Sequence, residues 1–196
     1  MFLATRPTRR TIERFLDESQ ALPFSYAPIG AAQHEPDGYN VDETIVSIGR
    51  GDADFDRAKA ALTAWKHFDL GWVQAVPAAA KPEPGTVVAV VIRHLGFWSL
   101  NGCRVVYGLG DRDRGATFGF AYGTLVNHAE AGEELFEVFM DSSSDQVMYR
   151  LRAASRPRAA VAWIGYPVVR ALQRRCRRES GETMKLAASR REVDTP

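Results

Sequence analysis

His128, Glu130, Glu133 and Glu134 crowd one short stretch of this chain. A histidine titrates near neutrality and a carboxylate beside it can orient its ring, so this grouping suits general acid/base work or metal binding. Neither a cysteine nor a second histidine lies close in sequence, so a zinc site would need distant ligands. The sequence therefore implies no metal and no cofactor, and the catalytic candidates are His128, Glu130 and Glu134. Against this, a loop between two strands is where solvated charges normally sit, and that is the default reading of these residues.

Two further patterns point to binding. Between Phe97 and Tyr107, period two places Asn101, Cys103 and Tyr107 on one strand face and Trp98, Arg104 and Val106 on the other. Whichever face is concave carries polar groups into an apolar space. A buried Arg93 or Arg104 would need an anionic partner, either a carboxylate of the protein or the head of a ligand. In the next strand Phe118, Phe120 and Tyr122 share a face opposite Gly119, Ala121 and Gly123. That aromatic face either lines a pocket, with the Tyr122 hydroxyl as its polar handle, or packs as core. The ligand-binding candidates are Tyr122, Phe120, Trp98, Asn101, Arg104 and Tyr107. Cys103 has no histidine nearby to activate it and reads as a buried thiol. Gly49-Arg50-Gly51 before a helix reads as a turn, since a lone pair of glycines is a weak phosphate signal.

The elements that must position these residues follow from periodicity. A short helix is predicted over about Thr8 to Ser19, where Ile12, Phe15 and Leu16 make one apolar stripe. Prolines and glycines then punctuate an irregular stretch, part of which reads as an extended arm. Val41 to Ile48 reads as a strand. A helix capped by Asp52 or Asp54 follows to about His67, with Phe55, Ala58, Leu62 and Trp65 on its inner face. Strands are predicted at about 72–76, 86–95, 97–107, 116–126, 134–140 and 146–154, joined by tight turns in an antiparallel meander. The last helix is predicted from Ser155-Arg156-Pro157, with Val161, Ile164, Val168 and Leu172 on its apolar stripe, Arg174 exposed and a kink at Pro167. The order excludes a doubly wound parallel fold, which would need helices between the later strands. The fold class is α+β: a curved antiparallel sheet gripping a long C-terminal helix.

Composition agrees with a globular chain. Of 196 residues 45% are hydrophobic and 25% charged, enough for a core without disulfides. Two cysteines, no apolar leader and no bilayer-length apolar run lead us to expect a soluble, cytoplasmic protein. Residues 1–22 are expected as a helical appendage, 23–190 as one domain and 191–196 as a tail. Net charge is +1, yet residues 150–191 hold twelve Arg or Lys against two Glu. Arg170, Arg174 and Arg178 recur at helical spacing beside Arg175 and Arg177, a pattern open to phosphate or lipid head groups or to plain solvation. No aromatic residues interleave this run, so sequence-specific nucleic-acid binding is not expected.

Several segments resemble, in matching order, uncharacterised protein family 0548. They are Tyr39-Asn40-Val41, Phe55-Asp56-Arg57-Ala58, Leu70-Gly71-Trp72, Leu100 through Tyr107, Phe118 through Leu125, His128 through Phe136, Ser155-Arg156-Pro157 and Gly165-Tyr166-Pro167. The resemblance runs from about Pro23 to Ser180. It implies a fold similar to the helix-grip (Bet v 1/START-like) superfamily, whose members commonly hold an apolar ligand between sheet and helix, and it implies no activity. The first expectation is thus a domain binding a small apolar or amphipathic molecule in a cavity of roughly 300–1,000 Å³. One alternative is an enzyme on the same scaffold using His128 with Glu130 or Glu134. Another is a basic interaction module working through the Arg-rich helix.

Overall fold

Among the described residues, alternation of apolar and polar residues produces eight strands, every observed pairing between them antiparallel. The computed structural model describes residues 1–34, 36–110, 116–157 and 162–189, and the backbone alone for 157 and 162–168. In chain order the elements are β1 (Phe2–Leu3), α1 (Arg9–Ser19), α2 (Ala31–His34), β2 (Asn40–Arg50), α3 (Gly51–Thr63), a 3₁₀ turn (Lys66–Phe68), β3 (Val73–Val76), β4 (Val87–His94), β5 (Phe97–Leu109), β6 (Thr117–Thr124), β7 (Glu130–Met140), β8 (Gln146–Pro157) and α4 (Ala162–Ser189). The sheet order is β2-β8-β7-β6-β5-β4-β3, with β1 added beside β5. From β3 to β8 this is the expected meander. The sheet curls around α3, the 3₁₀ turn and α4, which makes it a helix-grip fold.

The concave core joins Phe55, Ala58 and Leu62 of α3 to Phe120, Phe136, Val138 and Tyr149 of the sheet and to Met184 of α4. Thr8 caps α1 by accepting the backbone N–H of Thr11 at 3.2 Å. Helix α3 is capped differently from expectation. Arg50 still belongs to β2, and Asp54 reaches back to its N–H at 2.7 Å, so a carboxylate of the protein already fills this helix start. Helix α1 lies on the convex face, where Phe15 packs on Ala89, Val91 and Leu100.

Two element boundaries differ from the sequence reading. Strand β7 begins at Glu130, four residues before the expected start, so its glutamates stand on a strand rather than in a loop. Strand β8 runs on through Ser155-Arg156-Pro157, and α4 is helical from Ala162. Proline is tolerated there because β2 ends opposite Ser155, leaving the end of β8 open on that side. Of the expected apolar stripe, Val161, Ile164 and Val168 fall outside the described side chains. Leu172 is half-buried and Arg174 exposed. No helix among the described residues is long and apolar enough to cross a membrane.

Candidate functional site

The sheet and α4 do not close on each other completely. A cleft of about 200 Å³ remains between the concave faces of β4, β5, β6, β7 and β8 and the residues Val169, Leu172, Gln173, Cys176 and Arg177 of α4. Phe68, Trp72, Val90, Ile92 and Leu151 form its apolar wall, and Asn101, Tyr122, Glu130, Glu134 and Gln173 bring the polar groups. The space is smaller than sequence reading expects, because most of the aromatic residues pack against one another. Trp65, His67, Phe68, Phe120 and Phe136 interlock with ring centroids 4.4–6.5 Å apart and fill one end of the sheet.

The polar end is built by strand alternation. Glu130 and Glu134 are four apart on β7 and share its concave face. Tyr122, paired with Glu134 across β6 and β7, donates its hydroxyl to that carboxylate at 2.6 Å. Burial raises the Glu134 carboxyl above its ordinary range, and the nearby Glu130 adds to this, although the Tyr122 hydrogen bond opposes it. Glu130 accepts a hydrogen bond from Gln173 of α4 at 2.8 Å and is likewise raised by burial. Asp42 on β2 goes the other way: Arg170 and Arg177 of α4 hold it below the usual carboxylate range. Asn101 donates to the Val90 carbonyl and to Ser99, which fixes its side chain at the cleft wall. His128 also lines the cleft, and its Nδ1 accepts the backbone N–H of Glu130 at 2.9 Å.

His128, Glu130, Glu134, Tyr122 and Asn101 are thus brought together. The remaining candidates are not. Phe120 is fully buried in the aromatic plug rather than at the cleft. Trp98 packs with Leu3, Ile12 and Leu16 on the convex face. Arg104, on that face too, donates to the carbonyls of Ser19, Gln20 and Leu22, satisfying the C-terminal end of α1. Its partner is thus neither a carboxylate nor a ligand. Tyr107 is displaced by a β-bulge at Val106, which lets Val105 pair Tyr122 while Tyr107 pairs Ala121. The extra residue moves Tyr107 to the convex face, away from Asn101 and Cys103.

There Tyr107 meets Glu133, the glutamate that strand alternation separates from Glu130 and Glu134. Glu133 is buried, and its carboxylate accepts from Tyr26 Oη at 2.6 Å, Tyr107 Oη at 2.8 Å, Gly30 N at 2.9 Å and Ala32 N at 3.3 Å. This network ties the arm at 24–34 to the back of the sheet. The Tyr26 ring lies so close over Gly123 that any Cβ there would collide with it, which explains the glycine at that position. Ala121 and Gly123 accordingly face away from the cleft. Sequence reasoning missed Trp72, Gln173 and Cys176 as lining residues. Trp72 was legible as an aromatic at a strand start. The other two sit on the cleft side of α4 among the arginines. Burial pushes the Cys176 thiol up to about 12, and Cys103 is raised by burial as well, so neither is primed as a nucleophile. Two further arginines of α4 are engaged along the helix: Arg175 lies 4.6 Å over the Trp72 ring and pairs with Glu179, and Arg178 pairs with Glu182. Among the described residues no cluster of three or more His, Cys, Asp or Glu is placed to hold a metal ion.

The family model described as "Domain of unknown function (DUF1990)" matches residues 25–183. A UPF0548 protein of Dictyostelium discoideum is 32% identical over 192 residues, covering 88% of this chain and 89% of its own. Among solved structures, the Zhui aromatase/cyclase from Streptomyces sp. R1128 superposes with a TM-score of 0.52 at 16% identity, over 81% of this chain and 99% of that one. Norcoclaurine synthase from Thalictrum flavum, in complex with dopamine and hydroxybenzaldehyde, gives 0.50 at 9% identity, over 87% and 98%. At these identities the structural likeness is one of fold.

Proposed function

We propose that the chain, which belongs to the DUF1990 (UPF0548) family, binds a small, largely apolar molecule in the cleft between its sheet and α4. What supports this is a gap with apolar walls and a few converging polar groups in an otherwise close-packed interior. At about 200 Å³ the space lies below the roughly 300–1,000 Å³ of pockets for drug-sized ligands, so the occupant is a small molecule. Asn101, Tyr122 and Glu134 would orient its polar end, and Trp72 with Phe68 would cover its apolar body.

The test uses small neutral probes, toluene and p-cresol, with tryptophan emission as the readout because Trp72 lines the cleft. Saturable quenching should appear for the unaltered chain and vanish in Ala153→Phe, whose new ring fills the cleft. Overpacking can cost about 1–3 kcal/mol, so Leu172→Phe, which adds no new tryptophan, serves as a second filling variant from the helix side. Unchanged probe binding in both folded variants would place the ligand elsewhere and refute the reading.

A second reading is favoured by one observation, the carboxyl of Glu134 held above its ordinary range beside a tyrosine hydroxyl. Such a group exchanges protons near neutral pH more readily than an exposed glutamate. On this reading Glu134 with Tyr122 moves protons on the bound molecule, and His128 and Glu130 flank it. Glu134→Gln should then abolish turnover of a molecule that co-purifies from the host while changing its affinity by no more than about twofold. Equal losses of both would assign Glu134 to binding alone.

A further inference from the structure

The turn between β4 and β5 is built against its own backbone preference. His94 pairs with Phe97, leaving Leu95 and Gly96 as a two-residue loop with φ of 50° and 83°. Positive φ at both central residues is a type I′ turn, whose first position is normally Asn, Asp or Gly. Leucine there costs backbone energy, and its side chain is 74% exposed, so folding gains nothing from it in return. Phe97, next in the chain, is 55% exposed, and Phe2, added beside this strand by β1, is 66% exposed. The ring of Phe2 lies edge-on to His94, 6.0 Å between centroids. Three large apolar side chains thus project together, while Ile29, Ile45, Val126 and Leu186 are exposed elsewhere in the chain.

This tip is also one-sided in charge. Residues 1–12 and 84–110, which supply β1, β4 and β5, contain no Asp or Glu. Arg6 and Arg93, both exposed, lie 5.6 and 5.9 Å from the Trp98 ring on the convex side of the same hairpin, one strand position behind the tip for Arg93. Phe2 and His94 line the cleft as well, so the tip stands at its mouth.

We propose that the Leu95-Gly96 hairpin tip, with Phe2 and Phe97, inserts into an anionic lipid surface, Arg6 and Arg93 resting on the lipid head groups. A membrane fits better than a second copy of the chain. Stable protein interfaces bury about 800 Å² per partner, far more than three side chains provide. Two copies would also bring like charges together. Apolar residues at a hairpin tip, with two arginines and a tryptophan set behind them on one face, match the layered chemistry of a bilayer surface, with head groups outside and hydrocarbon beneath. A strained leucine at a turn is explained when its work lies outside the folded chain. Opening the cleft mouth toward lipid would give an apolar ligand a route that avoids water, but the docking does not depend on the cleft being filled.

The experiment is flotation of the full chain with vesicles of phosphatidylcholine alone and with one third phosphatidylglycerol. Binding should favour the anionic vesicles, weaken as salt screens the arginines and shift tryptophan emission to the blue. Leu95→Asn is the decisive variant. It supplies the residue that the turn prefers, so thermal stability should hold or rise, yet vesicle affinity should drop by about tenfold. Phe97→Asp should drop it further. Unchanged affinity in both variants would overturn the proposal. So would equal binding to neutral and anionic vesicles. Loss of binding in Arg174→Glu with retention in Leu95→Asn would move the contact to α4 and equally refute it. A dimer in sedimentation that Leu95→Asn dissolves, with no vesicle binding, would assign the tip to a second copy instead.

Discussion

Glu133→Ala is expected to destabilise the chain by about 3–5 kcal/mol. Four donors converge on this one buried carboxylate: two tyrosine hydroxyls and two backbone N–H groups. Alanine leaves all four without an acceptor, three of them at buried contacts, and each unpaired buried donor costs about 1–3 kcal/mol before relaxation. Burial and the Glu133 carboxylate together push the Tyr26 hydroxyl well above its ordinary pKa, so it stays a donor throughout the accessible pH range. Glu133→Gln distinguishes charge from geometry. Its amide NH₂ would confront two of the four donors, so most of the loss should remain, about 2–3 kcal/mol. Thermal unfolding is the measurement. At about 2–4 °C per kcal/mol for a chain of this size, the alanine variant should melt roughly 10 °C lower. A change of a degree or two would mean that the arm at 24–34 holds to the sheet without Glu133. Tyr107→Phe removes one donor together with its need for an acceptor and should cost much less, about 1 kcal/mol.

Why the sequence grouped Glu133 with Glu130 and Glu134 shows what residue patterns carry and what they hide. The sheet was legible because period-two alternation survives in β8, where Val147, Tyr149, Leu151 and Ala153 turn inward between polar neighbours. Short turns between such runs leave an antiparallel meander as the one economical arrangement. Residues 130–134 carry three glutamates in five positions, and that density reads as loop. Extending the alternation of Phe136 and Val138 backward would have placed Glu130 and Glu134 inward and Glu133 outward, separating the site acids from the anchor. The bulge at Val106 had no such signal. An inserted strand residue changes which face every later side chain takes without changing any residue type, so Tyr107 was assigned to the wrong neighbours. Ser155-Arg156-Pro157 misled for a related reason. Serine followed by proline marks a helix start and the open end of a strand alike.

The site was legible as a set of residue types and illegible as a volume. Tyr122, Asn101 and Glu134 fall together because three adjacent strands keep their register. The size of the cleft depends on how the aromatic rings pack, and the sequence carries no direct record of that. The same rings that suggest a roomy pocket fill most of it.

That plug contains a group whose behaviour in acid can be predicted. His67 is fully buried among Trp65, Phe68, Phe120 and Phe136, and among the described residues neither ring nitrogen has a hydrogen-bond partner. Burial lowers its pKa from 6.5 to about 3. Above pH 6.5 the imidazole is neutral in the folded and unfolded chain, so it adds no pH dependence. Below that value the unfolded chain takes up a proton that the folded chain refuses, and stability falls as pH falls. The slope approaches about 1.4 kcal/mol per pH unit until the folded-state value is reached. His67→Phe removes this linkage and places an apolar ring in an aromatic site. At neutral pH the variant should be more stable by about 1–3 kcal/mol, the cost of leaving the ring nitrogens unpaired. At about pH 4.5 the advantage should grow by a further 2–3 kcal/mol. Every other titrating group is common to both chains, so the difference between their urea unfolding curves from about pH 7 to 4.5 isolates His67. His67→Leu repeats the test with a smaller side chain, in case phenylalanine overfills the space. A difference that stays constant with pH in both variants would show that the folded chain accepts the proton, which requires an acceptor beside His67 that this packing does not provide.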